Sequence, residues 1–411
     1  MVQSVLGSLV LGYRPLWNGA RRMAGVQLFV AGDDNVQVDA LHLLRTIEEL
    51  WDASSPPLLL APRTPQILAE WLEHAPPGSP SIEVTDAWLV DPALLARARA
   101  AQRRGLKLVW HGPLGRLPEP EVAALFHTSV LTLDAQDAVA ALRAGKAQAA
   151  RGAGASASPI IAGQIYEGVD SRALMRHCLD GAGALALAGW PADDVLYSLR
   201  HQSPAPAHEV VLKLLKAIDD EQSIDAQEQV LGEDPLLAYR FMTYTNSAAL
   251  GLRTGVDSVR RGLVMMGYGS IQRWLGDQLP GASTEADLRP VREGAVLRAR
   301  LAEQLIEAGV GKELRAEMYL CALFSRLDAL LGEPLGAILR RLPLSDRVYD
   351  AAVLHAGPYA PSLDLAVALE GEDAAFIRKL CEDHGHDREQ VNRSLLHVLR
   401  AWVVPRTPTG A

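Results

Sequence analysis

The chain has few of the residues that would tie it to an oxidising compartment, a membrane or a nucleic acid. Three cysteines, Cys178, Cys321 and Cys381, are spread over 411 residues. Odd in number and far apart, they suggest neither a disulfide framework nor a clustered zinc site, and a reducing compartment fits. A basic excess is missing. The net charge is -9 and the pI is near 5.7, which disfavours general affinity for nucleic acid or an anionic membrane. Long apolar runs are missing too. The longest, residues 181–190, is Ala/Gly-rich and too short to cross a bilayer. Residues 1–12 lack the basic start of a signal peptide. No glycine-rich phosphate loop is present, because residues 145–154 lack a following helix start and a Lys-Ser/Thr pair. These absences point to a soluble cytoplasmic protein with no nucleic-acid partner and no membrane insertion.

What is present is material for two cores. Apolar residues make up 49% and charged residues 22%, a globular balance. Aromatics are only 5%, so the cores must rest on Leu, Ala and Val. The length exceeds one average domain. The pattern changes near residue 200. Before it, apolar strand-like runs at 26–31, 57–61, 81–85, 106–110 and 130–133 alternate with helical patterns at 38–51, 65–74 and 92–104. That alternation predicts a parallel sheet, open or closed into a barrel. Residues 151–159 read as a low-complexity loop, and the proline-rich residues 201–207 as a linker. After 208 no strand is evident. Val210, Val211, Leu214, Leu215 and Ile218 share one helical face. Asp234-Pro235 is a helix start, the carboxylate capping amides and the proline suiting the first helical position. Ser258 caps a helix that ends at Gly267, and further helices follow at 290–308, 312–331, 334–339 and 345–355 and through Leu395, Leu396, Leu399 and Trp402.

The second half, about 204–405, resembles an HDOD domain, a helical regulatory module of bacterial signalling proteins. The resemblance is carried by Asp234-Pro235, Asn246-Ser247-Ala248-Ala249, Gly251, Ser258, Leu263, Gly267 and Trp274, then by residues 297–300, with Arg300, and 324–332, with Asp328. HDOD domains are similar in fold to metal-dependent phosphohydrolases that need a His-Asp doublet. Here Ser325-Arg326 falls near that place, so the resemblance implies a non-catalytic domain. Asn246 is expected to satisfy turn backbone. Trp274 is expected in the core, with a partner-facing anchor as the alternative.

The first half, 1–198, resembles an EAL domain, the barrel that hydrolyses cyclic di-GMP, over about 11–194. Tyr13-Arg14-Pro15-Leu16 stands at its opening, and Gly25-Val26-Gln27-Leu28-Phe29 at its name motif, with Gln27 in place of the metal-binding Glu. Ile82-Glu83-Val84-Thr85-Asp86 keeps Glu83 as one ligand and Asp86 as a replacement. Trp110-His111 stands where paired aspartates belong. Ser129 to Thr132 replaces the Asp-x-x-Lys element, with Asp134 beyond. Ala162-Gly163-Gln164-Ile165-Tyr166 stands at the Ala-Glu-x-Val-Glu element, with Gly163 and Tyr166 where two glutamates belong. Loss of these carboxylates implies a degenerate site, because a hard divalent cation prefers charged oxygen ligands. The region is short for eight βα units. The fold expected is therefore α/β plus all-α: a trimmed or open TIM-like barrel followed by helices.

The function implied is non-catalytic bacterial signal transduction through protein–protein contacts, tied by resemblance to cyclic di-GMP. Catalytic residues, metals and cofactors are expected to be none. Partners are expected among signalling proteins of unspecified identity, and homo-oligomerisation is left open. The alternatives are a non-hydrolysing cyclic di-GMP receptor, disfavoured by Val30-Ala31-Gly32 where the family has an Arg, and a residual metal-dependent phosphodiesterase. His384-Gly385-His386-Asp387 reads as an exposed loop, and Cys178 beside His177 as a buried thiol.

Overall fold

The computed structural model describes residues 5–32, 40–150, 158–247, 255–306 and 309–402. Ala248, Ala249 and Gly251 of the HDOD pattern lie outside the described residues, as do 151–157 of the low-complexity segment and the 403–405 end of the second span.

Among the described residues, eight strands close into one barrel. They are β1 (Leu9–Trp17), β2 (Met23–Gly32), β3 (Leu58–Pro62), β4 (Ser81–Thr85), β5 (Leu108–Pro113), β6 (Thr128–Thr132), β7 (Ile165–Glu167) and β8 (Ala186–Ala188). An open barrel was the alternative expectation, and the structure replaces it. β1 is antiparallel to both β2 and β8, while β2 to β8 run parallel. A short hairpin after β1 needs no crossover helix, and β7 and β8 are three residues each, so closure takes less chain.

Residues two apart on a strand face the same side. Leu16, Leu59, Val109, Val130, Ile165 and Ala186 form one buried cluster and define the inward face. Helices such as Pro65–His74 and Pro92–Arg103 follow β3 and β4. Each begins at a capping side chain, Thr64 to the Ile67 amide and Asp91 to the Ala93 amide, with proline at the first helical position.

By its contacts the chain forms two compact units, Met1–Asp194 with Ala368–Ala411, and Val195–Val367. The consecutive spans 1–198 and 204–405 read from sequence differ from this division at the C-terminus. The reason lies in β1. It pairs with β8 only at Leu16 and Trp17, which leaves backbone groups on its other edge. The C-terminal segment satisfies them. Tyr13 N–H donates to Leu369 O over 2.8 Å. Leu11 N–H donates to Asn392 Oδ1, while Asn392 Nδ2 donates to the carbonyls of Leu6 and Leu9. Asn392 belongs to the helix Arg388–Arg400.

The unit Val195–Val367 is helical throughout its described elements, apart from an isolated bridge between Ala207 and Ser283. The expected single helix over 312–331 is two, Lys312–Phe324 and Leu327–Leu331, broken at Ser325-Arg326. No described helix is long and apolar enough to cross a membrane.

Candidate functional site

The C-terminal ends of the parallel strands carry polar side chains on the inward face. Gln27 from β2 and Glu83 from β4 are fully enclosed. Gln27 Nε2 donates to Glu83 Oε2 over 2.6 Å. His111 from β5 places Nδ1 2.7 Å from Glu83 Oε1 and Nε2 2.8 Å from Glu167 Oε1 on β7. Thr132 Oγ1, from β6 between them, donates to the same Glu167 oxygen over 2.6 Å. Arg14 Nη1, from β1, donates to Glu167 Oε2 over 3.0 Å. A chain of hydrogen bonds thus runs round the barrel interior, from Gln27 on β2 through Glu83, His111 and Glu167 back to Arg14 on the adjacent β1.

The electrostatics follow from that chain. Burial alone would lower the His111 pKa. The hydrogen bonds and charges of Glu167 and Glu83 outweigh it and raise the imidazole to about 10. Burial alone would raise the Glu167 pKa. The His111 hydrogen bond and charge, the Thr132 hydroxyl and the Arg14 charge together bring it down to about 2. His111 is therefore an imidazolium with both N–H groups donating.

A pair of divalent cations does not fit these residues. Metal ions need lone pairs that converge on one point. Both Glu83 oxygens are taken, by His111 and Gln27, and both Glu167 oxygens, by His111, Thr132 and Arg14. The protonated ring of His111 has no lone pair to offer. Gln27 Oε1 is buried with no hydrogen-bond partner among the described residues, but a neutral amide oxygen alone is a weak ligand.

A second polar layer lies toward the mouth. Arg14 and Arg63 both stand over the Phe29 ring, at 5.0 and 5.3 Å from its centroid. Glu372, from the C-terminal segment, reaches both: 2.8 Å to Arg63 Nη2 and 3.8 Å to Arg14 Nη2. Gly12, two residues from Arg14 on the same face, sits so close to Gly371 that any Cβ would overlap its carbonyl oxygen.

Of the residues singled out in sequence for this region, Gln27, Glu83, His111 and Thr132 come together. The others do not. Trp110 is wholly buried but alternates with the inward Val109 and His111, and its indole packs on Gly112. Tyr166 likewise alternates with Ile165 and Glu167, its hydroxyl accepting from the Ile161 amide and donating to the Ile161 carbonyl. Ser129 has its amide bound to Gln164 Oε1. Asp86 pairs with Arg116. Asp134 caps a helix, accepting from the amides of Gln136 and Asp137. Glu167, Arg63 and Glu372 were missed. The inward carboxylate of β7 is one position beyond Tyr166, a one-residue shift that exchanges the faces of a strand. Arg63 follows the apolar run of β3 and was legible only as a strand end.

In the helical unit the expected positions are structural. Asp234, with no exposed surface, caps Leu237, accepts from Ala207 N–H and faces Arg292 Nε at 3.2 Å. Pro235 opens its helix. Asn246 ties the Met242 and Val256 carbonyls and the Val256 amide. Ser247 Oγ is buried with no hydrogen-bond partner among the described residues. Trp274 is a core residue, edge-on to Phe241 and stacked with Tyr244, so the partner-anchor alternative falls away. Tyr239 is buried against Phe324. Arg300 lies within the helix Arg289–Leu305 and Asp328 is exposed in the first turn of Leu327–Leu331. Ser325 Oγ donates to Ala322 O, so no ligand pair forms there. Cys178, Cys321 and Cys381 are buried, which raises their thiols to about 12, 12 and 11.

Comparison with known proteins agrees with the helical reading. Residues 205–331 match the HDOD domain family. The chain is 23% identical over 203 residues to a protein named cyclic di-GMP phosphodiesterase CdgJ, from Vibrio cholerae serotype O1, covering 49% of this chain and 47% of that one. It is 24% identical over 196 residues to YuxH of Bacillus subtilis, covering 46% of each. The chain thus spans about half the length of these curated relatives. Among solved structures it is similar to the MmoQ response regulator of Methylococcus capsulatus, with 17% identity, a TM-score of 0.39 and coverage of 47% and 98%. It is also similar to BlrP1 of Klebsiella pneumoniae, with 13% identity, a TM-score of 0.30 and coverage of 45% and 55%.

Proposed function

We propose that this chain is a non-catalytic bacterial signal-transduction protein of the cytoplasm, acting through protein contacts within cyclic di-GMP signalling. Its barrel is read as an EAL-type domain whose hydrolytic site has become a structural ion-pair chain. The observation that carries this reading is His111, held as a double donor between Glu83 and Glu167. Phosphodiester hydrolysis by metal ions needs open carboxylates and a bound water of lowered pKa. Here each carboxylate is closed by a donor, and Gln27 and Thr132 bring no charge. The HDOD domain at 205–331 and the relative named as a cyclic di-GMP phosphodiesterase supply the signalling context.

We propose the helical unit for the partner contact. Val264, Met265 and Tyr268 are exposed around Gly267 and are large apolar side chains without a core role. Tyr239 and Trp274, being core, are not suited to it.

The test is a hydrolysis assay on the full chain with cyclic di-GMP and either magnesium or manganese, reading the linear product. No turnover above background is expected. Turnover that disappears in Glu83→Ala overturns the reading. Calorimetric titration with cyclic di-GMP separates a pure scaffold, with no heat of binding, from a non-hydrolysing receptor.

A further inference from the structure

We infer that Asn392 takes the place of the part of β8 that the barrel lacks, so that the C-terminal helix Arg388–Arg400 completes the wall and the helical unit is an insertion within the barrel's chain. β8 has three residues and pairs with β1 only at Leu16 and Trp17. β1 has nine residues. From Pro15 back to Leu9, toward the mouth, no described strand lies along its second edge. The groups on that edge follow from the two-residue period of a strand. Pro15 O accepts from Gly189 N–H on that side. The backbone groups of Tyr13, Leu11 and Leu9 therefore face the same way. Leu9 and Leu11 have no exposed surface, so water does not satisfy them.

Asn392 meets this edge with one side chain. Its Oδ1 accepts from Leu11 N–H over 3.2 Å, and its Nδ2 donates to Leu9 O over 2.9 Å and to Leu6 O over 2.7 Å. A carboxamide offers an acceptor and two donors, the same kinds of group that a neighbouring strand presents. A carboxylate can only accept, and an aliphatic side chain does neither. The helix is also held by packing. Val391, Leu395, Leu396 and Leu399 are buried along it, and Arg400 Nη1 donates to Leu50 O over 3.0 Å. The HDOD match ends at residue 331, well before this helix. The compact unit that holds the helix is the barrel's. The barrel is thus assembled from residues on both sides of the helical unit. A chain made only as far as Val367 carries an open β1 edge, and closure waits for residues 388–400.

The experiment uses the full chain and reads amide hydrogen exchange residue by residue. Asn392→Leu keeps the size of the side chain and removes all three hydrogen bonds. The Leu11 amide should then exchange at least about tenfold faster than in the parent. Amides of β3, β4 and β5 should keep their rates. A helix that only packs on the barrel would tolerate leucine, so an unchanged Leu11 rate overturns the inference. Should Asn392→Leu fail to fold, the parent chain decides. A protease recognition sequence is placed between His384 and Gly385, which are exposed. After cleavage the fragment carrying Arg388–Arg400 should stay with the rest through gel filtration. Stripping it off in mild urea should speed exchange at Leu11 more than in β3 to β5. A fragment that leaves under native conditions, or one whose removal does not change the Leu11 rate, overturns the inference. No reading involves cyclic di-GMP, so this inference and the proposed function fail separately.

Discussion

His111 Nε2 lies 2.8 Å from Glu167 Oε1, a contact that spans from β5 to β7 and passes the Thr132 hydroxyl of β6. With Glu83 on its other nitrogen, His111 joins three strands of the barrel through one ring. Such a contact holds the inward face together through charge rather than apolar packing, and it makes the barrel sensitive to pH.

The pH dependence has a definite sign. The His111 pKa is raised from 6.5 to about 10, so its contribution is complete below 6.5 and is lost as pH rises toward 10. The Glu167 pKa is lowered from 4.5 to about 2, so its contribution is complete above 4.5 and is lost as pH falls toward 2. From these two groups stability should peak between 4.5 and 6.5. Urea midpoints measured from pH 4 to 10 check this. In His111→Ala the alkaline fall should flatten, and near pH 6 the variant should be about 3 kcal/mol less stable, since two enclosed carboxylates each lose their charged His111 donor while keeping Gln27, or Thr132 and Arg14. An unchanged alkaline slope would show that His111 is not the titrating group.

Gly12→Ala should loosen the C-terminal segment. Its Cβ has no room against the Gly371 carbonyl, and backbone on both sides must shift. We expect a loss of about 1–3 kcal/mol and faster proteolysis after residue 368. Gly276→Ala, where nothing lies within 4 Å of the added carbon, is the matched control and should be neutral or stabilising. Equal melting temperatures for the two variants would refute the close approach.

Asp234→Ala should be among the most damaging single changes in the helical unit. It removes a helix cap and the acceptor of Ala207 N–H, and leaves Arg292 without its carboxylate. The expected loss is about 3–5 kcal/mol by chemical denaturation. Asp234→Asn should recover part of it, because an amide oxygen still caps. A loss under about 1 kcal/mol would mean that the ion pair contributes nothing and only a cap was removed.

The thiols provide a direct check on burial. All three cysteines are enclosed with raised thiol pKa values, so a water-soluble disulfide reagent at pH 8 should label none of them in the native chain. In denaturant it should label all three. Fast native labelling of Cys178 would mean that its surroundings open readily.

The helical elements were legible in sequence because their signals are local. Asp234 and Ser258 each cap an amide three residues away, and Gly267 takes a positive φ that ends its helix. The Asn246 role was legible for the same reason, since two of its partners are Met242 and Val256 nearby in sequence. Strand faces were harder. In runs such as Leu108–Pro113, where both sides of the sheet are covered, apolar residues occur at consecutive positions and alternation is blurred. Trp110 and Tyr166 were therefore assigned to the site in place of His111 alone and Glu167. The likeness between Gln27 and a metal ligand pointed to the correct strand face, but not to the partner that replaces the metal.

The sequence by itself determined the change from alternating strands and helices to helices alone, the positions of the caps, and the scarcity of charged ligands at Gln27 and Thr132. Those properties depend on residues within one turn or one strand of each other. Only the tertiary structure decided that the barrel closes, that His111 bridges Glu83 and Glu167, and that Glu372 returns across most of the chain to Arg14 and Arg63. Each of these requires strand register, the inward face and chain closure to be set together. A one-residue slip in any strand would send the same side chains to the opposite face.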